Sequence, residues 1–266
     1  MIEAAIAFLH YGRAVASSLD PLCGPVGIFS FVSPSGMLSC GNVGWGDEIA
    51  RGLWVTVACA VLTLPIGLLV GVGVALAKRS SDQLLSSAAS LYTTLFRALP
   101  ELLTLFIIYF GLQLALQGAV TWLGLDITVQ IDALFSGVCA LAIVFSAYCA
   151  EVITAAFNAI PKGQYEAGYA LGLPRYRTFK SVILPQLLRL SLPGLGNLWM
   201  NLLKDTSYVS TIGLADVLRQ TGIAAKVTKD AFFFYGIACA IYLALAVLSA
   251  GIISRFGVIL NRGQVR

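Results

Sequence analysis

The sequence predicts an all-α integral membrane protein whose chain crosses the bilayer five times, with its N-terminus outside and its C-terminus inside. Three observations predict this. Hydrophobic residues make up 58% of the 266 positions and charged residues 11%, against roughly 45–50% apolar and about 25% charged in soluble domains. Several uncharged runs reach the roughly 20 residues that a helix needs to span hydrocarbon. Lysine and arginine gather in alternate connections, as the positive-inside rule requires. The runs are too long and too uniformly apolar for barrel strands, so helices must satisfy the backbone in lipid.

Residues 1–48 read as an outside extension rich in Gly, Pro and Ser, leading into a transmembrane domain over 49–262. Glu3 stands where a basic leader residue would be, so no cleaved signal peptide is expected. The first span, about 52–77, is uncharged and ends at Lys78 and Arg79; its Gly67 and Gly71 form a small-xxx-small pair that admits a close neighbour. The next apolar segment admits one kinked helix or a hairpin of two. Charge bias decides for one span, about 84–116, because it puts Lys78 and Arg79 on the same side as the later basic loop. The third span, about 133–160, contains one acid, Glu151. The loop 161–186 carries Lys162, Arg175, Arg177 and Lys180 and is expected inside. Spans at about 187–214 and 231–254 complete the set, joined by an outside loop over 215–230.

The composition excludes several function classes. A net charge of +4, thinly scattered, does not suit nucleic-acid binding. Cys59, Cys139, Cys149 and Cys239 lie singly in apolar runs, and His10 is the only histidine, so no metal site is expected. Cys23 and Cys40 fall in the outside stretch, where an oxidising compartment would permit them to pair. No G-x-x-x-x-G-K-[ST], HExxH or G-x-S-x-G run exists, which leaves little for a membrane-embedded enzyme and places any ATP hydrolysis on another polypeptide. A stand-alone channel or secondary transporter would leave the basic loop unexplained, and no inverted repeat supports it.

Ionisable groups inside a span are functional candidates by default, at about 2.5–3.5 kcal/mol each on insertion scales. They are Arg97, Glu101, Glu151, Lys204 and Asp205. Glu151, Glu101 and Asp205 can neutralise a cationic solute, with Arg97 and Tyr148 as further residues of a polar path. The bland alternative is local pairing: Arg97 with Glu101 at i, i+4, and Lys204 beside Asp205.

The basic loop reads GQYEAGYALGLPRYRTFKSVILPQLLR from Gly163 to Arg189. Gln164–Leu171 suits a short helix, Gly172 a positive-φ stop, and Pro174 the start of a second helix. Such a pair suits docking to a soluble partner or lying on anionic headgroups. The run resembles the EAA signature of permeases in ATP-binding cassette (ABC) importers: Glu166-Ala167-Gly168, then Gly172, then Val182-Ile183-Leu184-Pro185, with the spacing intact and Gly168 and Val182 in place of Ala and Ile. The stretches Tyr92–Gln113, Ala147–Ala167 and Leu192–Val217 are similar to the polar amino-acid branch, most like the Q subunits of histidine/lysine/arginine/ornithine and opine transporters, over about 45–262.

The resemblance implies a type I ABC importer permease, multi-pass in a bacterial inner membrane, with a periplasmic N-terminus and a cytoplasmic loop 161–186. It implies ATPase docking through Gly163, Glu166, Ala167, Gly168, Gly172, Leu184 and Pro185. Its implied partners are two ATP-binding cassette subunits, a periplasmic solute-binding protein, the bilayer and a second permease, either a distinct paralogue or a second copy. No cofactor is implied for this chain, ATP and Mg acting in the partner ATPase. The implied solute is a polar, basic amino acid or an opine, moved by alternating access.

Overall fold

In the computed structural model the described residues are 36–40, 44–124, 128 and 130–261, and among them there is helix and no strand. Most of the expected extension over 1–48 falls outside them, as does Cys23 and with it the Cys23–Cys40 pairing. Cys59, Cys139, Cys149 and Cys239 form no disulfide.

Helix α1 runs Gly46–Lys78, with Asp47 and Glu48 in its first turn and Lys78 in its last, each complementing the helix dipole. Helix α2 (Gln83–Ala98) is capped by Asp82, whose carboxylate accepts from the Leu84 amide at 2.9 Å. Here the expected single helix over 84–116 is corrected. The segment is two helices, because Pro100 forces Leu99 out of the helical region (ψ 142°) and α3 restarts at Glu101, running to Trp122. Charge bias could not reveal this, since a break within an apolar run leaves the flanking charges where they were.

Asp132 caps α4 (Ala133–Ala159), accepting from the Leu134 and Phe135 amides. Two short helices follow, α5 (Lys162–Ala170) and α6 (Arg175–Thr178), then a π-helical turn over Phe179–Ile183 that feeds α7 (Leu184–Asp205). A 3₁₀ segment, Thr206–Ile212, closes on Gly213 at φ 101°. Helix α8 spans Val217–Thr228 and α9 spans Ala231–Asn261.

Among the described residues four helices are long and apolar enough to cross a membrane: α1, α3, α4 and α9. The fourth expected span (187–214) is occupied by α7 and the 3₁₀ segment and is not in that set, its apolar run being interrupted by Arg189, Lys204 and Asp205.

The chain divides into two compact units. In the first, built from the described residues up to 57 and from 214–241, Leu38, Ile49, Ala50, Ala224, Ala225 and Phe234 form the core. Asp216 caps α8 by accepting from the Arg219 amide at 2.9 Å, and the Val217 amide donates to Thr56 Oγ1 at 3.2 Å. Burial pushes the Asp216 carboxyl up to about 6, and its Oδ2 has no hydrogen-bond partner.

In the second unit, residues 58–213 and 242–261, α4 is the central helix and packs against α2, α3 and α7. Small residues allow these approaches. A Cβ on Gly67 would stand 2.6 Å from the Phe145 ring, and one on Gly71 2.8 Å from Cys149, so both glycines of the small-xxx-small pair face α4. Gly194 likewise meets Val152, and Gly196 meets Ile253 of α9. Outward residues such as Leu69, Leu114, Leu243, Val247 and Leu248 are exposed and apolar, as a lipid-facing surface demands.

Candidate solute cavity and docking loop

Both features of interest belong to the second unit. The first is a cavity of about 120 Å³ lined by Glu101, Tyr148, Asn201 and Asp205 together with apolar residues of α3, α4 and α7. Its two acids come from helix ends. Glu101 is the first residue of α3, placed there by the Pro100 break, and Asp205 is the last of α7, placed there by the change to 3₁₀ geometry. The two carboxyls are near enough to interact electrostatically. No lysine or arginine lines the cavity, so its lining carries two acids against no base.

The other two path residues lie beside this cavity rather than in its lining. Lys78 Nζ donates directly to Glu151 Oε1, Arg97 Nη1 lies 3.6 Å from the same oxygen, and Lys78 also reaches Thr93 Oγ1 at 3.3 Å. The Arg97 guanidinium lies 5.6 Å from the centre of the Tyr148 ring. The local pairing of Arg97 with Glu101 is therefore replaced: the helix break separates them, Arg97 turns to Glu151 and Glu101 faces Asp205. Sequence reasoning missed Lys78, reading it only as a topology marker. A lysine closing one apolar run while a lone acid sits in another was the available signal. Tyr92 is a packing residue, its hydroxyl 2.7 Å from Ser146 Oγ.

The second feature is the loop. Gly172 adopts φ 73° and ends α5 in a Schellman-type turn, the Leu173 amide reaching Gly168 O at 3.1 Å and the Gly172 amide Tyr169 O at 2.9 Å. Pro174 starts α6, as the spacing anticipates. Gly163, Glu166, Ala167 and Gly172 are exposed, whereas Gly168 is buried: a Cβ there would stand 2.4 Å from Thr178 Cγ2. Leu184 and Pro185 open α7, with Pro185 in its first turn where no amide is needed. Gln186 Nε2 donates to Gln164 Oε1 at 3.1 Å and fastens α5 to α7. The outer face carries exposed Tyr169, Leu171 and Tyr176, an apolar surface with basic surroundings.

Known proteins are similar to this chain in sequence and in fold. The chain is 37% identical over 213 residues to the octopine transport system permease protein OccQ of Rhizobium meliloti, covering 80% of this chain and 90% of the relative. It is 36% identical over 210 residues to the histidine/lysine/arginine/ornithine transport system permease protein HisQ of Salmonella typhimurium, covering 79% and 92%. A crystal structure of an amino acid ABC transporter with histidines superposes at TM-score 0.68 and 36% identity, over 80% of this chain and 94% of that one. The inward-facing MetNI methionine ABC transporter shares the fold, at TM-score 0.64 and 20% identity over 82% and 98%. Residues 64–256 match the family described as binding-protein-dependent transport system inner membrane component. With that match and these relatives, the chain belongs to the binding-protein-dependent transport system inner membrane components, the permease subunits of ABC importers.

Proposed function

We propose that this permease imports basic amino acids or opines, with the solute's cationic group resting between Glu101, Tyr148 and Asp205. The carrying observation is the cavity's charge: two carboxyls and no lining cation. A guanidinium or ammonium entering it would replace lost hydration with charge-assisted hydrogen bonds. Relatives named for octopine and for histidine, lysine, arginine and ornithine support the class. Glu151 is already held by Lys78 and Arg97 and has less to offer an incoming cation.

In this reading the chain crosses a bacterial inner membrane with its N-terminus periplasmic and the loop 161–186 cytoplasmic. Gly163, Glu166, Ala167, Gly172 and the exposed Tyr169 and Leu171 seat in one of two ATP-binding cassette subunits, which carry ATP and Mg. A second permease completes the pathway, and a periplasmic binding protein delivers the solute. Closure of the ATPases rocks the permease halves between inward- and outward-facing states.

The test is uptake in vesicles containing the assembled transporter. Glu101→Gln and Asp205→Asn are each expected to reduce discrimination between arginine and its neutral isostere citrulline about tenfold, or about 1.4 kcal/mol. Equal losses for both solutes, or unchanged discrimination, would move the solute elsewhere.

A further inference from the structure

We infer that Lys78 and Arg79, the adjacent cations where α1 ends, form a strut that joins the docking loop to the cavity wall, so that movement of the loop is delivered to the cavity. The inference rests on reading 161–186 as the ATPase-docking segment, and both residues act by positioning others rather than by touching solute.

The contacts form an unbroken series. On the loop side, Phe179 opens the π-helical turn and stacks on Phe157 near the end of α4, with ring centres 6.5 Å apart and planes at 25°. Arg79 meets the same Phe157 ring, its guanidinium carbon 4.5 Å from the ring centre, and its Nη1 donates to Asn158 Oδ1 at 3.2 Å. On the cavity side, the next residue back, Lys78, donates to Glu151; Glu151 holds Arg97; and Arg97 lies against Tyr148, which lines the cavity. One dipeptide therefore grips α4 at residue 151 and again at 157–158, about 10 Å apart along the helix at 1.5 Å per residue.

Stability alone is a weak reason for this arrangement. Two cations share one carboxylate, and Lys78 is only 15% exposed. Replacing part-buried ion pairs with apolar groups is often neutral or stabilising. A charged cluster that fixes the relative placement of three helices is better explained by what it transmits. The π-helical turn at the loop end fits the same role, since such turns concentrate at functional positions and give a helix a local point of adjustment.

Coupling along this series is a measurable quantity. The measurement uses the assembled transporter with Asn201→Cys as a cavity reporter, labelled by a water-soluble maleimide and read at that residue by mass spectrometry. ATP with vanadate is expected to change labelling in the otherwise native complex by about threefold or more. Arg79→Ala, Lys78→Met and Phe179→Ala should abolish that change while the ATPase subunits still co-purify and hydrolyse ATP. Arg79→Lys, which keeps a cation over Phe157, should retain most of it. Arg79→Ala with Phe179→Ala should be no worse than either alone, as expected for members of one series.

A normal nucleotide-dependent change in these variants overturns the strut and leaves the docking reading intact. So does a loss that merely tracks the complex's melting temperature. Absence of the ATPase from the native complex overturns the docking reading and the strut with it. No solute is needed, so the outcome is separate from the choice of arginine.

Discussion

At position 168 the loop carries glycine where the resembled signature has alanine, and Thr178 accounts for it. Alanine would gain up to about 1 kcal/mol of helix propensity. Its methyl, however, would sit 2.4 Å from Thr178 Cγ2, on a buried β-branched side chain that cannot swing aside. Overpacking of about 1–3 kcal/mol wins. Gly168→Ala should therefore loosen the loop and speed tryptic cleavage at Arg175 and Lys180 about tenfold, while adding Thr178→Ala should restore resistance. Cleavage at the native rate in Gly168→Ala would show that α5 and α6 have slack. Asp216 supplies a second residue-scale prediction. Its folded value of about 6 lies above the ordinary 3.8, so the folded state keeps the proton through that interval while the unfolded chain loses it. Stability must then fall as pH rises from about 4 to about 6 and stay lower above. The loss is on the order of 3 kcal/mol at 1.36 kcal/mol per pH unit. Thermal melts of Asp216→Asn should lack that decline, and matching pH profiles for the two proteins would refute the assignment.

At the scale of elements, the break between α2 and α3 is the feature on which the cavity depends. Pro100 ends one helix and makes Glu101 the first residue of the next, with the Thr104 amide returning to Pro100 O at 3.0 Å. Pro100→Ala removes the restriction on Leu99 and should let the two helices join. That change would rotate Glu101 out of the cavity and lower arginine uptake without lowering the yield of assembled complex. Uptake at the native level in Pro100→Ala would mean that the break is incidental. Local signals of this kind were legible: Gly172 and Pro174 stand where the sequence put a stop and a start. The helix limits of α4 were legible too, because Asp132 and Pro161 bracket a single apolar run. The helix count in the second segment was not, since Pro100 in lipid is compatible with either a kink or a break. The partners of the buried charges were also hidden. Lys78 and Glu151 are 73 residues apart, and no local pattern specifies which acid a helix-terminal lysine will meet. What the sequence offered was the cost of an ionisable group within a span, which marked Glu151 as a candidate without naming its partner.

For the whole molecule, the arrangement of basic segments makes a prediction about orientation. Leu171 stands at the tip of the loop and is 80% exposed. With Leu171→Cys, a membrane-impermeant thiol reagent should modify that position in inside-out vesicles and spare it in intact spheroplasts. The reverse result would invert the molecule and remove the docking role. The close contact of α1 with α4 at Gly67 and Gly71 has a mechanical consequence. Where one helix contributes no side chain and its backbone packs on a ring, a thiol and the carbonyls of the other, the layer that could absorb a push is thin. Gly71 lies only about 10 Å along α1 from the cations at its end, at 1.5 Å per residue. Near these positions the contact favours the two helices shifting together over their sliding apart, because few rotamers at the seam can change to let them separate.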